Sequence, residues 1–403
     1  MNRDESNNNY NEINSDSFCN EQDALIVFYG KMFSGSLDLD RFQTPGVRFS
    51  EDQNLLPVAD AVVMHIPQVT HRNKPTLRKT PGQLWVSWSL ESEINYPGIN
   101  DQAYDLKMTY QRDADVWIPY FRNYGSKLLE EIVLPLPPKG PDCIIASFIS
   151  STVNRSHRLE YLIELSKHIN IHHYGRFMRN RTIESDKGGK TKLETLRHYK
   201  FAIAFENSIT PDYVTEKYYD PLLAGTIPIY LGAPNITDYA PGHDCHINVN
   251  DFSDPAELAC YLKKLDQNDS LIDRHLKWKT EPLCKAFVNE IQSSIKLPHS
   301  FIQLAELVKQ RIKRMDNIVP HKIKSWELIT SKDMSSLTLK KSRASITLNG
   351  ASYLIWELCD GQRNVSHIQE TLLAAYPDAK NQIKQDVLRT LRLLHHKGII
   401  ELI

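Results

Sequence analysis

Residues 199–234 read YKFAIAFENSITPDYVTEKYYDPLLAGTIPIYLGAP, which predicts a strand, a helix and a second strand in succession. Residues 201–205 are an apolar run with aromatic ends, typical of a buried strand. Thr215 is a suitable N-cap for the helix, and Gly225 is suited to end it. Residues 227–231 then form a second apolar run. The stretch therefore predicts a β-α-β unit of a parallel sheet.

Polar residues lie at the points of this unit where a ligand would bind. Glu206 and Asn207 follow the first strand, at the carboxyl edge where open α/β sheets bind ligands. The N-terminus of the following helix favours an anion, and Lys217 in its first turn adds a positive charge suited to phosphate. Glu216 adds a carboxylate beside it. This combination suits a nucleotide sugar, which carries hydroxyls at one end and a pyrophosphate at the other.

The segments FEN at 205–207, YVTEK at 213–217 and GTIPIYLG at 225–232 resemble the nucleotide-binding motif of the α1,3/α1,4-fucosyltransferases, which use GDP-fucose. The resemblance alone implies the preference for GDP over UDP. It implies a donor site formed by Arg158, Asn207, Tyr213, Val214, Glu216 and Lys217. Arg158 lies in the first turn of a predicted helix over 157–168. Its forked, permanently charged side chain suits bidentate contact with a pyrophosphate.

Segments earlier in the chain resemble the acceptor side of the same family. They are PGQ at 81–83, WSLES at 88–92, NYPG at 95–98 and MTYQRDADV at 108–116. Glu91 follows a predicted strand, so its carboxylate can face the reaction cleft, and the resemblance implies that it is the general base. Glu93 is the alternative base, because it stands where the family pattern Glu-Ser-Pro has proline.

The resemblance implies an inverting transfer of L-fucose from GDP-β-L-fucose to a glycan hydroxyl, with O3 of GlcNAc as the expected position. Such a single displacement needs a base for the acceptor proton and cations for the departing pyrophosphate. We expect Glu91 in the first role and Arg158 and Lys217 in the second, with Glu216 near the fucose. The chain is thus predicted to be a hexosyltransferase.

One short motif points to a metal, but it is incomplete. Asp113-Ala114-Asp115 looks like the metal-binding Asp-x-Asp of another glycosyltransferase class. No histidine or further carboxylate is placed to complete an octahedral oxygen site. We interpret the motif as a solvated turn and expect no obligatory metal or other cofactor.

The composition of the chain limits the classes of protein to which it can belong. The chain has 403 residues and a formal net charge of -1, which suits two or three domains and disfavours nucleic acid as a partner. No apolar run has membrane-spanning length. Cys284 begins a family Cys-x-x-Cys in which the second cysteine is replaced by Phe287, which favours a reducing compartment. We expect a bacterial, cytoplasmic protein. The amphipathic pattern of 300–315 favours packing within the protein, with peripheral membrane contact as the alternative.

From residue 325 onward the pattern changes to two short strands, three helices and a closing strand, which predicts a winged helix. LNG at 348–350 and IWELCDG at 355–361 resemble the PqqD-like peptide-binding modules. This leaves open a peptide or glycopeptide acceptor recruited by that module, and hence a role in protein glycosylation. A DNA-binding regulator is disfavoured because the basic residues are scattered among acids. They are Lys340, Lys341, Arg343, Arg389, Arg392 and Lys397.

The predicted fold class is α/β, with two facing Rossmann-like domains in the GT-B arrangement followed by a small α+β domain. The predicted divisions are a disordered tail at 1–23, an acceptor-side domain at 24–135, a GDP-fucose-binding domain at 136–295, an amphipathic helix and linker at 296–324, and the PqqD-like domain at 325–403.

Overall fold

The computed structural model describes residues 12–13, 24–29, 35, 37–42, 44–69, 79–80, 82–135, 139, 144–311, 315–330, 337–342 and 344–403. Most of the predicted N-terminal tail lies outside the described residues. So does most of 134–141, a proline-dense stretch that the sequence predicts to be an interdomain linker.

The strands, in chain order, are β1 Glu12–Ile13, β2 Ala24–Tyr29, β3 Val47–Ser50, β4 Ala61–His65, β5 Leu84–Ser89, β6 Leu106–Thr109, β7 Val116–Trp117, β8 Ile145–Ser147, β9 His172–His173, β10 Phe201–Phe205, β11 Ile227–Leu231, β12 Ile247–Asn248, β13 Pro320–Lys322, β14 Glu327–Thr330, β15 Leu337–Lys341, β16 Ala344–Leu348 and β17 Ile400–Leu402. The α-helices are α1 Leu128–Glu131, α2 Arg158–His168, α3 Gly189–Leu196, α4 Glu216–Ala224, α5 Pro255–Asp266, α6 Asp269–Leu276, α7 Lys285–Lys296, α8 Ser300–Arg311, α9 Gly350–Glu357, α10 Val365–Ala375 and α11 Lys380–His396.

The described residues form two compact units. The first contains those of Met1–Trp88, Gln102–Leu106 and Phe301–Ile403, and the second contains Ser89–Asp101 with those of Lys107–Ser300. The short segment after β5, which carries Glu91 and Glu93, therefore belongs to the same unit as the predicted donor motif.

In the first unit, β2 to β5 pair in parallel in the order β3-β2-β4-β5. The described part of the sheet is apolar, and β2 and β4 are almost wholly buried. Helix α8 packs its apolar face into this unit. Phe301 at its start lies 4.8 Å, between ring centroids, from Phe28, and Leu304 and Val308 are fully buried. The prediction that this amphipathic helix packs within the protein is confirmed.

The C-terminal part of the first unit is a small α+β domain. Strands β14, β15 and β16 form antiparallel pairs, and β13 pairs antiparallel with β17. Helices α9, α10 and α11 close over a core that includes Trp356, Val387 and Leu391. The predicted strands and helices of this region are present within a few residues. Strands β13 and β14 were not predicted, because each is only three or four residues long.

The second unit is built on a parallel sheet of order β12-β11-β10-β8-β9. β10 and β11 are buried throughout and pair in register from Phe201↔Ile227 to Phe205↔Leu231. Helix α4 crosses between them and buries six of its nine residues. The fold-class prediction, an α/β protein with two parallel sheets and a small C-terminal domain, is confirmed.

Among the residues that the structure describes, no helix has both the length and the apolarity needed to cross a membrane. Arg389 and Arg392, two of the basic residues weighed for DNA contact, are buried rather than exposed. The described cysteines, Cys245, Cys260, Cys284 and Cys359, are free thiols.

Candidate active site

The start of helix α4 is fixed by a buried carboxylate. Glu206 lies one residue beyond β10 and accepts hydrogen bonds from Thr215 N (2.8 Å) and Thr215 Oγ1 (2.9 Å). Burial raises the pKa of Glu206, and the positive charge of Lys217 offsets this only in part. A Cβ on Gly232 would lie 2.7 Å from Glu206 Cγ, so this glycine is required for the close approach of the next strand end. Glu206 thus orients the helix rather than facing a ligand.

Lys217 lies in the first turn of α4 among acceptors. Its Nζ is 3.0 Å from Thr215 Oγ1, 3.1 Å from Glu216 Oε1 and 3.5 Å from Glu206 Oε2. Burial acts to lower the pKa of Lys217, but Glu206 and Glu216 outweigh it and hold that pKa above its ordinary value. Lys217 is therefore charged at neutral pH and held at the helix N-terminus, as the sequence predicted.

Arg158 is the first residue of α2 and is almost completely buried. Its Nη1 donates to Phe205 O (2.9 Å) and its Nη2 to Ser151 O (3.1 Å), while its Nε has no hydrogen-bond partner among the described residues. Burial lowers the pKa of Arg158, and Glu206 is the largest influence opposing it. The guanidinium is thus anchored to the last carbonyl of β10 and to a carbonyl of the loop that follows β8.

A cavity of about 230 Å³ opens beside these groups. Its polar lining consists of Ser150, Ser151, Arg158, Lys192, Glu216 and Lys217, and the rest of the lining is mainly apolar. Three cations face a single carboxylate here, so the cavity favours an anionic ligand. Two hydroxyls and a helix N-terminus add neutral donors suited to phosphate oxygens.

Lys192 is a cavity residue that the sequence reasoning missed. The basic, Gly-containing sequence of residues 179–192 predicts a loop, but the structure has α3 beginning at Gly189. Lys192 Nζ lies 2.7 Å from Asp220 Oδ2 on α4. Burial acts to raise the pKa of Glu216, but Lys217 and Lys192 outweigh it and lower that pKa. The signal that could have found Lys192 is the spacing of Leu193 and Leu196, which places one apolar face on a short helix.

Glu91 and Tyr213 form the second part of the site. Glu91 N donates to Ser89 Oγ (3.0 Å), which fixes the turn after β5. Tyr213 Oη, two residues before the cap of α4, donates to Glu91 Oε2 at 3.2 Å. The buried phenol of Tyr120 donates to Leu90 O in the same turn, at 2.5 Å. The pKa of Tyr120 is raised by burial first, and by the charges of Glu91 and Glu216. The hydrogen bond from Tyr213 therefore joins the predicted base, Glu91, to the segment that leads into α4.

Two further predicted donor residues, Asn207 and Val214, contact other protein groups in the structure. Asn207 is buried, and its Oδ1 accepts from Asn95 Nδ2 at 3.2 Å. The Val214 side chain lies in the apolar cluster under α4, together with Tyr218 and Tyr230. A donor contact by either residue stays a prediction.

The alternative base, Glu93, has different hydrogen-bond partners from Glu91. Tyr110 Oη donates to its Oε2 and Thr210 Oγ1 donates to its Oε1, so both carboxylate oxygens hold a protein hydroxyl. The Asp-x-Asp lookalike also has protein partners. Asp115 accepts from Lys107 N at 2.8 Å, and Asp113 lies 3.0 Å from Lys107 Nζ.

A parallel sheet with a cation-lined cavity at its carboxyl edge, and with carboxylates near that cavity, is suited to a group-transfer enzyme with an anionic substrate. Residues 139–326 match the glycosyltransferase family 10 (fucosyltransferase) C-terminal domain, and residues 21–121 match the fucosyltransferase N-terminal domain. Residues 339–400 match coenzyme PQQ synthesis protein D (PqqD).

Known relatives agree with these matches. The chain is 32% identical over 283 residues to 4-galactosyl-N-acetylglucosaminide 3-alpha-L-fucosyltransferase 9 of Mus musculus, covering 68% of this chain and 75% of that protein. It is 32% identical to the protein of the same name from Homo sapiens, with the same coverage. A crystal structure of an alpha1,3-fucosyltransferase matches with a TM-score of 0.45 and 18% identity, covering 70% of this chain and 92% of that one. The chain belongs to the family 10 fucosyltransferases and is a glycosyltransferase that also carries a PqqD domain.

Proposed function

We propose that this enzyme transfers L-fucose, with inversion, from GDP-β-L-fucose to O3 of a GlcNAc residue in a glycan. The observation that carries the proposal is the cavity at the start of α4, where Arg158, Lys192 and Lys217 surround a space suited to a pyrophosphate. Family membership supports fucose as the group transferred, and the activity for which the relatives are named supports the acceptor position.

The proposed reaction is a single displacement. Glu91 takes the proton of the acceptor hydroxyl as its oxygen bonds to C1 of fucose. The bond between C1 and the β-phosphate oxygen breaks, and its electron pair leaves with GDP. The cations of the cavity stabilise the charge that develops on the pyrophosphate. Glu216, which burial alone would favour in the neutral form, is kept ionised by two lysines and is suited to contact the fucose.

We assign the base to Glu91 rather than Glu93 because of their hydrogen bonds. Glu91 accepts from the single phenol of Tyr213 at its Oε2, whereas both oxygens of Glu93 accept from protein hydroxyls. A proton taken by Glu93 would have to displace one of those donors. Glu91 is thus the carboxylate better able to receive a proton from an acceptor.

The test compares GDP and UDP binding by calorimetry with fucose transfer to a GlcNAc-containing glycan. GDP should bind and UDP should not. Lys217→Ala should weaken GDP binding about 10- to 100-fold, because a charged partner of the phosphates is lost. Lys167→Ala, which removes an exposed cation from α2, is the matched control and should leave affinity unchanged.

Glu91→Gln should bind GDP normally and lower kcat by about 100-fold or more, since general base catalysis contributes on that scale. Turnover near that of the wild type would move the base role elsewhere. We also propose that no divalent metal is required, so EDTA should leave turnover unchanged. An EDTA-sensitive rate restored by Mg²⁺ or Mn²⁺ would contradict this.

A peptide or glycopeptide acceptor recruited by the C-terminal domain is the second candidate. The observation favouring it is that β1 pairs in parallel with the edge strand β16, at Glu12↔Thr347 and Ile13↔Leu348. An extended segment can therefore add to this sheet edge, which is one common mode of peptide recognition. Assaying glycan and peptide acceptors side by side separates the two candidates.

A further inference from the structure

Glu93 joins three segments of the second unit through its carboxylate. It follows β5 by four residues, and its two hydroxyl donors come from elsewhere in the sequence. Tyr110 follows β6, and Thr210 lies in the loop between β10 and α4. Both donors are buried. Two hydrogen bonds from buried hydroxyls to one carboxylate thus hold the three segments relative to one another.

The two donors hold Tyr213 from two sides. The ring centroid of Tyr110 lies 5.0 Å from that of Tyr213, and Tyr213 N donates to Thr210 O at 3.4 Å. Tyr213 Oη in turn donates to Glu91. Glu93 therefore binds the two residues that contact Tyr213, and the phenol of Tyr213 in turn donates to the carboxylate of Glu91.

Burial raises the pKa of Tyr110, and its hydrogen bond to Glu93 raises it further. Tyr110 therefore remains a neutral donor across the physiological range. A proline, which the family pattern has at this position, could accept no hydrogen bond through its side chain.

We propose that Glu93 is a positioning residue for the transfer reaction. By holding Tyr110 and Thr210 it fixes Tyr213, and through Tyr213 it directs the carboxylate of Glu91 toward the acceptor hydroxyl. The proposal rests on the assignment of Glu91 as the base, made above. It gives Glu93 a role in kcat without any contact with donor or acceptor.

The experiment measures kcat, KM for the acceptor and Kd for GDP in the full chain. Glu93→Gln replaces one accepting oxygen with an NH₂ group, so it cannot accept from both hydroxyls. We expect kcat to fall by about 10- to 100-fold, because a small displacement of a catalytic group costs on that scale. GDP affinity and acceptor KM should change by less than about twofold, since a positioning residue touches neither ligand.

A double-variant cycle separates positioning from a general structural role. In a Tyr213→Phe background the hydroxyl that holds Glu91 is already absent, so Glu93→Gln should lower kcat little further. If the fold-decreases in kcat of the two single variants multiply in the double variant, the proposal is wrong. A wild-type kcat in Glu93→Gln alone would also overturn it. Should Glu93→Gln fold poorly, Tyr110→Phe and Thr210→Val each remove one contact and should each lower kcat with unchanged GDP affinity.

Glu91→Gln, measured in parallel, distinguishes this proposal from the proposed function. If Glu91→Gln is inactive and Glu93→Gln is normal, only the positioning role fails. If Glu91→Gln retains its turnover, the base assignment fails first. If Glu93→Gln is as inactive as Glu91→Gln in both backgrounds, Glu93 is itself the base and the positioning role is wrong.

Discussion

At the scale of single residues, the second unit encloses a histidine that folding keeps neutral. The Tyr218 hydroxyl lies 3.1 Å from His246 Nδ1, and the two rings pack at 5.5 Å between centroids. Burial lowers the pKa of His246 to about 4, and the nearby His275 adds to the effect. The imidazole is therefore uncharged in the folded protein at any pH where the enzyme is expected to work.

This lowered pKa predicts a loss of stability in acid. The unfolded chain binds a proton at His246 near pH 6.5, whereas the folded chain resists it until about pH 4. The stabilisation is present above pH 6.5 and is lost as the pH falls toward 4, by up to about 3 kcal/mol. Urea unfolding of the wild type and of His246→Gln across that range measures it. Parallel pH profiles of the two proteins would contradict the prediction.

At the scale of elements, the start of α4 depends on one threonine. Thr215 Oγ1 accepts from Lys217 N at 3.3 Å and donates to Glu206, so it caps the helix and solvates a buried carboxylate. Thr215→Ala should lower the free energy of unfolding by about 1 kcal/mol through the loss of the cap alone. The free energy of unfolding should fall further because the buried carboxylate of Glu206 loses its hydroxyl donor.

Thr215→Ser keeps both hydrogen bonds and is the matched control. Because the cap also sets the position of Lys217, we expect Thr215→Ala to weaken GDP binding while Thr215→Ser does not. Calorimetric GDP titration and urea unfolding of both variants check this. Equal GDP affinity in the two variants would show that Lys217 keeps its place without the cap.

The same element shows how far sequence alone can predict this fold. β10, α4 and β11 were predicted to the residue, because an apolar run, a capping threonine and a terminal glycine are all local signals. In contrast, the local sequence of residues 169–175 predicts a strand over that whole range, whereas β9 is only His172–His173. Its length depends on pairing with β8, which the local sequence does not encode.

The candidate site also has one part that the local sequence predicts and another that it does not. Lys217 and its helix N-terminus could be placed from neighbouring residues. The junction at Glu93 could not, because Thr210 is 117 positions away in sequence and Tyr110 is 17 away. Such a contact follows from how the segments pack, and only the folded chain brings them together.

At the scale of the whole molecule, a buried ion pair fastens the PqqD domain to the N-terminal sheet of the same unit. Arg392 on α11 donates to Asp60 Oδ1, and Asp60 Oδ2 accepts from Leu25 N at 2.8 Å. The Arg392 side chain is 0% exposed and that of Asp60 is 10% exposed. Met315 packs against Arg392, whose Nη2 lies 3.4 Å from the Met315 sulfur, and the Met315 side chain leaves no room for a Cβ on Gly82.

Removing one partner of this pair should leave an uncompensated buried charge. We expect Arg392→Met to lower the free energy of unfolding by about 3–5 kcal/mol. The control is Arg363→Met, which breaks an exposed pair with Asp360 in the same domain and should cost at most about 1 kcal/mol. The donor cavity is lined wholly by residues of the second unit, so Arg392→Met should keep its GDP affinity under native conditions. Urea unfolding with GDP titration measures both effects. If Arg392→Met costs no more than Arg363→Met, the PqqD domain is held by its apolar contacts alone.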